Sequence, residues 1–212
     1  MSLLGNLPQT YSISHVADLN GNGNWDLVVK NDSSRDVYAV YMNGTLPEHI
    51  GYLGGLDKNT TIFLPADLTG DDKSELILRN NNTGQLFMSK IAPQGWSNTS
   101  IGTLPMEWEL LTRGYFNLDD MADLVFRHNP SAQTWVCYMD GPAVKDTHLI
   151  GKIPADEWEI ITVADYNGDG LSDTLWLHKP SRMVVISLAT EDKLLGQVGT
   201  FLELPKDWEV IK

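Results

Sequence analysis

A repeat of about 49 residues constrains this chain more than any other feature of its sequence. A Gly-centred motif occurs five times, as LLGNLP, YLGGLD, SIGTLP, LIGKIP and, with an insertion, QVGTFLELP. It places Gly5, Gly54, Gly102, Gly151 and Gly199 at intervals of 49, 48, 49 and 48 residues. A second motif keeps nearly the same period: DLNGNGNWD (18–26), DLTGDDKSE (67–75), YFNLDDMAD (115–123) and DYNGDGLSD (165–173). Self-similarity of this length marks a repeat architecture, in which each unit buries its apolar faces only against its neighbours.

Within one repeat the apolar runs are short and bounded by turn residues, as in WEIITVA, DTLWLHK, MVVISLA and KLLGQVG. They are rich in Val, Ile, Leu, Thr and Trp and too short for amphipathic helices, so each predicts a strand. Asn43-Gly44 and Asp140-Gly141 fall between the third and fourth runs, where such pairs predict type I′ hairpin turns. NDSSR, NNNTG, HNPSA and HKPSR, between second and third runs, have loop composition. Four short strands per repeat is the size of a propeller blade. The expected fold class is therefore all-β: a β-propeller of four four-stranded blades forming a single domain over 1–212, plus one surplus strand. That surplus strand is the final DWEVIK, which repeats the start of a blade. It closes the ring, lies redundant at an edge or belongs to a longer array. A β-sandwich of hairpins would account for the strands but not for the period.

The second motif has the chemistry of a hard-cation loop. Oxygen-bearing side chains stand at positions 1, 3, 5 and 9, and position 7 offers a backbone carbonyl. Ca²⁺ takes six to eight oxygens in a forgiving geometry, whereas soft metals want the His and Cys that these loops lack. An EF-hand would need Glu at position 12, but that position is Val29, Leu78, Phe126 or Trp176. The pattern D-x-[DN]-x-[DN]-G-x-x-D at blade spacing resembles the FG-GAP/VCBS repeats of integrin-α-like β-propellers, and the four copies extend that resemblance over essentially the whole chain.

The resemblance implies calcium-bound loops in an extracellular adhesion or recognition protein, or in an extracellular enzyme. The expected ligands are Asp165, Asn167, Asp169, Leu171 and Asp173 in the fourth loop, which has the most complete set. In the second loop they are Asp67, Thr69, Asp71, Lys73 and Glu75, with Asp72 where Gly is usual; in the first, Asp18, Asn20, Asn22, Asn24 and Asp26. Lys73, Asn24 and Leu171 contribute only their carbonyls. The third loop starts with Tyr115 and is expected to be empty, which leaves up to three Ca²⁺ sites. Without metal, each loop would be a hydrogen-bonded Asx turn.

Composition narrows the partners. The chain has 28 acidic and 15 basic residues, for a net charge of -13, and 12 of the acidic residues with one basic residue lie in the four loops. The acidity thus reports candidate metal loops more than a generally anionic surface. Nucleic-acid binding is disfavoured because it needs a basic face. No run approaches the roughly 18 apolar residues of a membrane span, so no membrane insertion is expected. The start MSLLGNLPQT lacks a signal-peptide pattern. The single Cys137 excludes an intramolecular disulfide.

Other recurring residues have structural readings. Trp108, Trp158 and Trp208 stand 50 apart and predict blade-to-blade packing ahead of sugar stacking. Tyr38, Phe87, Trp135 and Val185 predict core positions. Lys30, Arg79 and Arg127 follow the loops and are expected to pair with the acidic rim; His128 and His178 replace Asn31 and Asn80 as turn residues. No nucleophile elbow, phosphate-binding loop or zinc signature stands out. The leading reading is a non-enzymatic, calcium-stabilised binding or adhesion module of a larger exported protein. It would be extracellular, at the cell surface or periplasmic, with a protein or glycan ligand. A lectin-like propeller is the second reading, and an extracellular polysaccharide-acting enzyme or its accessory domain the third.

Overall fold

The computed structural model describes residues 7–92, 95–190 and 193–205. Gly5, Trp208 and the DWEVIK segment lie outside the described residues. The chain is all-β, a β-propeller chain of four blades, each a four-stranded antiparallel sheet with its strands in chain order. The first blade holds β1 (Tyr11–Ala17), β2 (Asp26–Asn31), β3 (Asp36–Asn43) and β4 (Leu46–Gly55). The second holds β5 (Thr60–Ala66), β6 (Glu75–Asn80), β7 (Gln85–Ala92) and β8 (Gly95–Thr103). The third holds β9 (Trp108–Gly114), β10 (Asp123–His128), β11 (Gln133–Asp140) and β12 (Ala143–Lys152). The fourth holds β13 (Trp158–Ala164), β14 (Asp173–His178), β15 (Met183–Thr190) and β16 (Lys193–Glu203). The chain forms two compact units, Met1–Met106 with the first two blades and Glu107–Lys212 with the last two.

The Gly motif has a backbone cause. In β4, β8 and β12 the pairing to the preceding strand skips one residue, between Gly54 and Tyr52, Gly102 and Ser100, Gly151 and Leu149. At those bulges Gly54, Gly102 and Gly151 take φ of 148°, 150° and 157°, a region that side chains disfavour. Gly54 has a second reason: a Cβ there would lie 2.9 Å from Trp96 Nε1, so the indole packs on bare backbone. Gly199 is not the fourth equivalent. It pairs with Ile186, and the bulge falls later, beside Leu202, so the fourth glycine does not share the register of the first three.

The hairpin turns also differ from expectation. Asn43 pairs with Leu46 and Asp140 with Ala143, so the turn residues are Gly44-Thr45 and Gly141-Pro142. Only the glycines are left-handed, both at φ 59°, which is the type II′ pattern and not I′. Pro142 forces this choice, because its ring fixes a negative φ.

In the first unit Ala17, Leu19, Val28, Val37, Ala39 and Leu53 of the first blade meet Leu76 and Leu78 of the second in one buried cluster. In the second unit the cluster is Phe116, Val125 and Val136, with Val163 of the fourth blade against it. Phe116 stands where the earlier loops have Leu19 and Leu68, and the strand before it ends in Gly114 where they have Ala17 and Ala66. A Cβ on Gly114 would lie 2.7 Å from Phe116 Cζ and 2.8 Å from Ser172 Cβ, so the larger ring is accommodated by removal of a methyl.

Candidate functional site

Each nine-residue loop joins the first two strands of a blade. In the first loop, Asp18 Oδ1 accepts the amides of Asn20, Gly21 and Asn22 at 3.2, 2.7 and 3.3 Å, and its Oδ2 accepts that of Gly23 at 2.7 Å. Asn20 Oδ1 then accepts from Asn22 N, and Asn22 Oδ1 from Asn24 N. The fourth loop repeats this: Asp165 holds the amides of Gly168, Asp169 and Gly170, Asn167 Oδ1 that of Asp169, and Asp169 Oδ1 that of Leu171. In the second, Asp67 holds Thr69, Gly70, Asp71 and Asp72, and Asp71 holds Lys73. The odd-numbered side chains therefore form nested Asx turns. Tight winding needs left-handed residues at positions 4 and 6, and Gly21, Gly23, Gly70, Gly168 and Gly170 supply them. Asp72 takes φ 62° and keeps the same turn without glycine.

The third loop keeps part of this winding, with Asn117 Oδ1 accepting Asp119 N, Asp119 Oδ1 accepting Met121 N and Asp120 at φ 61°, but it lacks the first turn. Tyr115 contributes no carboxylate; its amide donates to Ser172 Oγ at 2.9 Å, and its carbonyl accepts from Ser172 N at 2.6 Å. Ser74 N likewise donates to Asp18 O at 2.7 Å. Loops are thus tied in pairs, first to second and third to fourth.

Position 9 does something the sequence pattern did not disclose. Asp26, Asp123 and Asp173 are each fully buried and each accept two backbone amides. Asp26 takes Leu19 N at 3.0 Å and Met42 N at 2.8 Å; Asp123 takes Phe116 N and Met139 N; Asp173 takes Tyr166 N and Ala189 N. The carboxylate clamps its own loop to the third strand of its blade. Burial raises the Asp26 pKa against these donors, and burial pushes Asp123 up to about 7, with the neighbouring Asp119 charge adding to the shift. Asp165, by contrast, is held below the usual carboxylate range by its amide donors, Gly170 first.

Among the described residues no three Asp, Glu, His or Cys side chains converge as a metal cage. Calcium fits the first and fourth loops by donor chemistry: carboxylate and amide oxygens at positions 1, 3 and 5 keep lone pairs beyond those given to N–H groups. Asp26 and Asp173 lie in the same loops but spend an oxygen on each of two buried amides. The second loop fits less well, because Lys90 Nζ lies 3.0 Å from Asp71 Oδ2.

Sequence reasoning missed a cleft of about 460 Å³ in the first unit, between the first and second blades. Tyr41 and His49 stack there with centroids 5.9 Å apart and planes 10° from parallel. Asn20, Glu48, Tyr52 and Lys73 add polar groups, and Ile91 an apolar wall. The stem of Lys73 passes so close to Gly21 that a Cβ there would lie 3.1 Å from its Cγ. The cleft draws on five separate stretches of chain, so no local motif signals it.

The recurring aromatic and basic residues are structural. Trp108 and Trp158 tilt onto His128 and His178 at 5.1 and 4.6 Å, each a cross-strand pair inside one blade and not a blade-to-blade contact. His128 and His178 hydrogen-bond Ser131 and Ser181 at the turn, the role Asn31 and Asn80 play elsewhere. Lys30 pairs with Asp32 and Arg127 with Glu109, while Arg79 donates to the Leu104 and Pro105 carbonyls; none of these partners is a loop carboxylate. Burial pushes the Cys137 thiol up to about 11, which keeps it protonated.

No family model and no curated protein matches the chain in sequence. In structure it is similar to a chain of the Photorhabdus luminescens Tc holotoxin pore, with a TM-score of 0.60 and 16% identity. The match covers 96% of this chain and 10% of that one. The likeness is one of fold, and the chain spans about a tenth of the length of its neighbour.

Proposed function

We propose that the chain is a ligand-binding module on a β-propeller scaffold, with its ligand seat in the cleft of the first unit and a neutral glycan as the ligand class. The carrying observation is the lining of that cleft: the Tyr41–His49 stack beside Asn20, Tyr52, and one acid and one base, Glu48 and Lys73. Aromatic faces pack on the C–H faces of sugar rings, while polar groups fix the hydroxyls, and balanced charge favours no ionic ligand. A volume near 460 Å³ suits one or two sugar rings. With Glu48 the one carboxylate in its lining, the cleft lacks the paired acids of glycoside hydrolysis, which supports binding over turnover.

Calcium in the first and fourth loops has an architectural role in this reading, since binding energy at a loop becomes folding energy. An exported setting with millimolar Ca²⁺ would suit such loops. The test is a glycan array in calcium buffer, followed by calorimetric titration of the best hit into wild type, Tyr41→Ala and His49→Ala. Binding should be lost in both variants; Tyr41→Ala should also lower the melting temperature because its ring packs against the core, whereas the exposed His49→Ala should leave it unchanged. An array without hits, or equal binding by the cleft variants, refutes the glycan seat.

A further inference from the structure

We infer that the second loop carries its own cation, the Lys90 ammonium, and is ordered without a divalent ion. This inference rests on the calcium reading only for its contrast with the first and fourth loops. Lys90 lies on β7, in the third strand of the blade, and corresponds in the repeat to Tyr41, Tyr138 and Leu188. It is the one cation at that position. Its Nζ lies 3.0 Å from Asp71 Oδ2 in the loop between β5 and β6.

Asp67 takes four backbone amides, as Asp18 does in the first loop, and Glu75 takes Leu68 N and the Thr69 hydroxyl; what sets the second loop apart is Asp71, whose Oδ1 takes Lys73 N and whose Oδ2 takes Lys90 Nζ. Asp67 and Glu75 are buried, whereas the side chains of Lys90 and Asp71 are 47% and 34% exposed, so solvent screens this pair and its hydrogen-bonded geometry defines it. A divalent ion entering this loop would have to displace an ammonium that covalent attachment keeps at high local concentration. It would also meet Lys90 as a like charge.

The test follows backbone amide shifts of the whole chain during calcium titration, in wild type, Lys90→Gln, Lys90→Met and Lys90→Arg. In wild type the amides of Gly70 and Asp72 should stay unmoved by millimolar Ca²⁺. In Lys90→Gln and Lys90→Met they should shift with saturation, while Lys90→Arg, which keeps the charge, should stay insensitive. Movement of Gly70 in wild type at the same Ca²⁺ as Gly168 and Gly170 overturns the inference. So does a folded Lys90→Gln or Lys90→Met whose second loop ignores calcium. Failure of Gly168 and Gly170 to respond in any variant overturns the calcium reading of the fourth loop instead, so the two failures are told apart.

Discussion

Replacing Asp26 by Ala tests whether the ninth loop position is a clamp or a metal ligand. Asp26 is fully buried and serves two buried amides, Leu19 N and Met42 N. Each buried donor left without an acceptor costs about 1–3 kcal/mol, so the substitution should cost roughly 2–6 kcal/mol. Asp18 serves more amides, but most of those hydrogen bonds are exposed and water can replace them. Asp18→Ala should therefore cost about 1 kcal/mol or less when no metal is bound. The assay is urea unfolding of both variants in excess EDTA. Asp26→Asn is the intermediate case, because one oxygen remains while an NH₂ faces an amide donor; it also secures a measurement if the Ala variant does not fold. Should Asp26→Ala match wild type in EDTA and lose stability only relative to the calcium-loaded protein, Asp26 is a ligand and the clamp argument fails.

Three further outcomes are expected. Chelation should lower the thermal midpoint of wild type and added Ca²⁺ restore it, with Asp165→Ala removing most of the response; a midpoint indifferent to EDTA and Ca²⁺ refutes the calcium reading. The folded chain holds the Asp123 proton more tightly than the unfolded one, with a pKa raised to about 7 from 3.8. The stability this contributes is present below about pH 4 and lost as pH rises through about 7. Melting curves at pH 5 and pH 7.5 should therefore differ less in Asp123→Asn than in wild type, by a few °C on the order of magnitude set by domain size. Gly114→Ala should cost about 1–3 kcal/mol through overlap with Phe116, Ser172 and Val163, and Phe116→Leu in the same chain should recover the share due to the ring by restoring the Ala–Leu pairing of the first two blades. Additive losses in that double variant would refute the proposed trade of ring for methyl.

Period and local chemistry determined much of this protein. The spacing of Gly54, Gly102 and Gly151, strand-length apolar runs and turn residues lead to four blades, because each signal acts over a few residues. The nested turns of Asp18, Asp67 and Asp165 are legible for the same reason: the carboxylate and the amides it holds lie within five residues. Tertiary structure decided the rest. Asp26 reaches Met42, Asp123 reaches Met139 and Asp173 reaches Ala189, each 16 residues on, only because strand register brings the third strand beside the loop. Lys90 meets Asp71 across 19 residues by the same pairing, and Tyr41 and His49 become one face of a cleft only when two blades pack. A nine-residue pattern shows which oxygens a loop possesses. Whether each is directed to an amide, an ammonium or an ion depends on neighbours that hydrogen-bond register and burial supply.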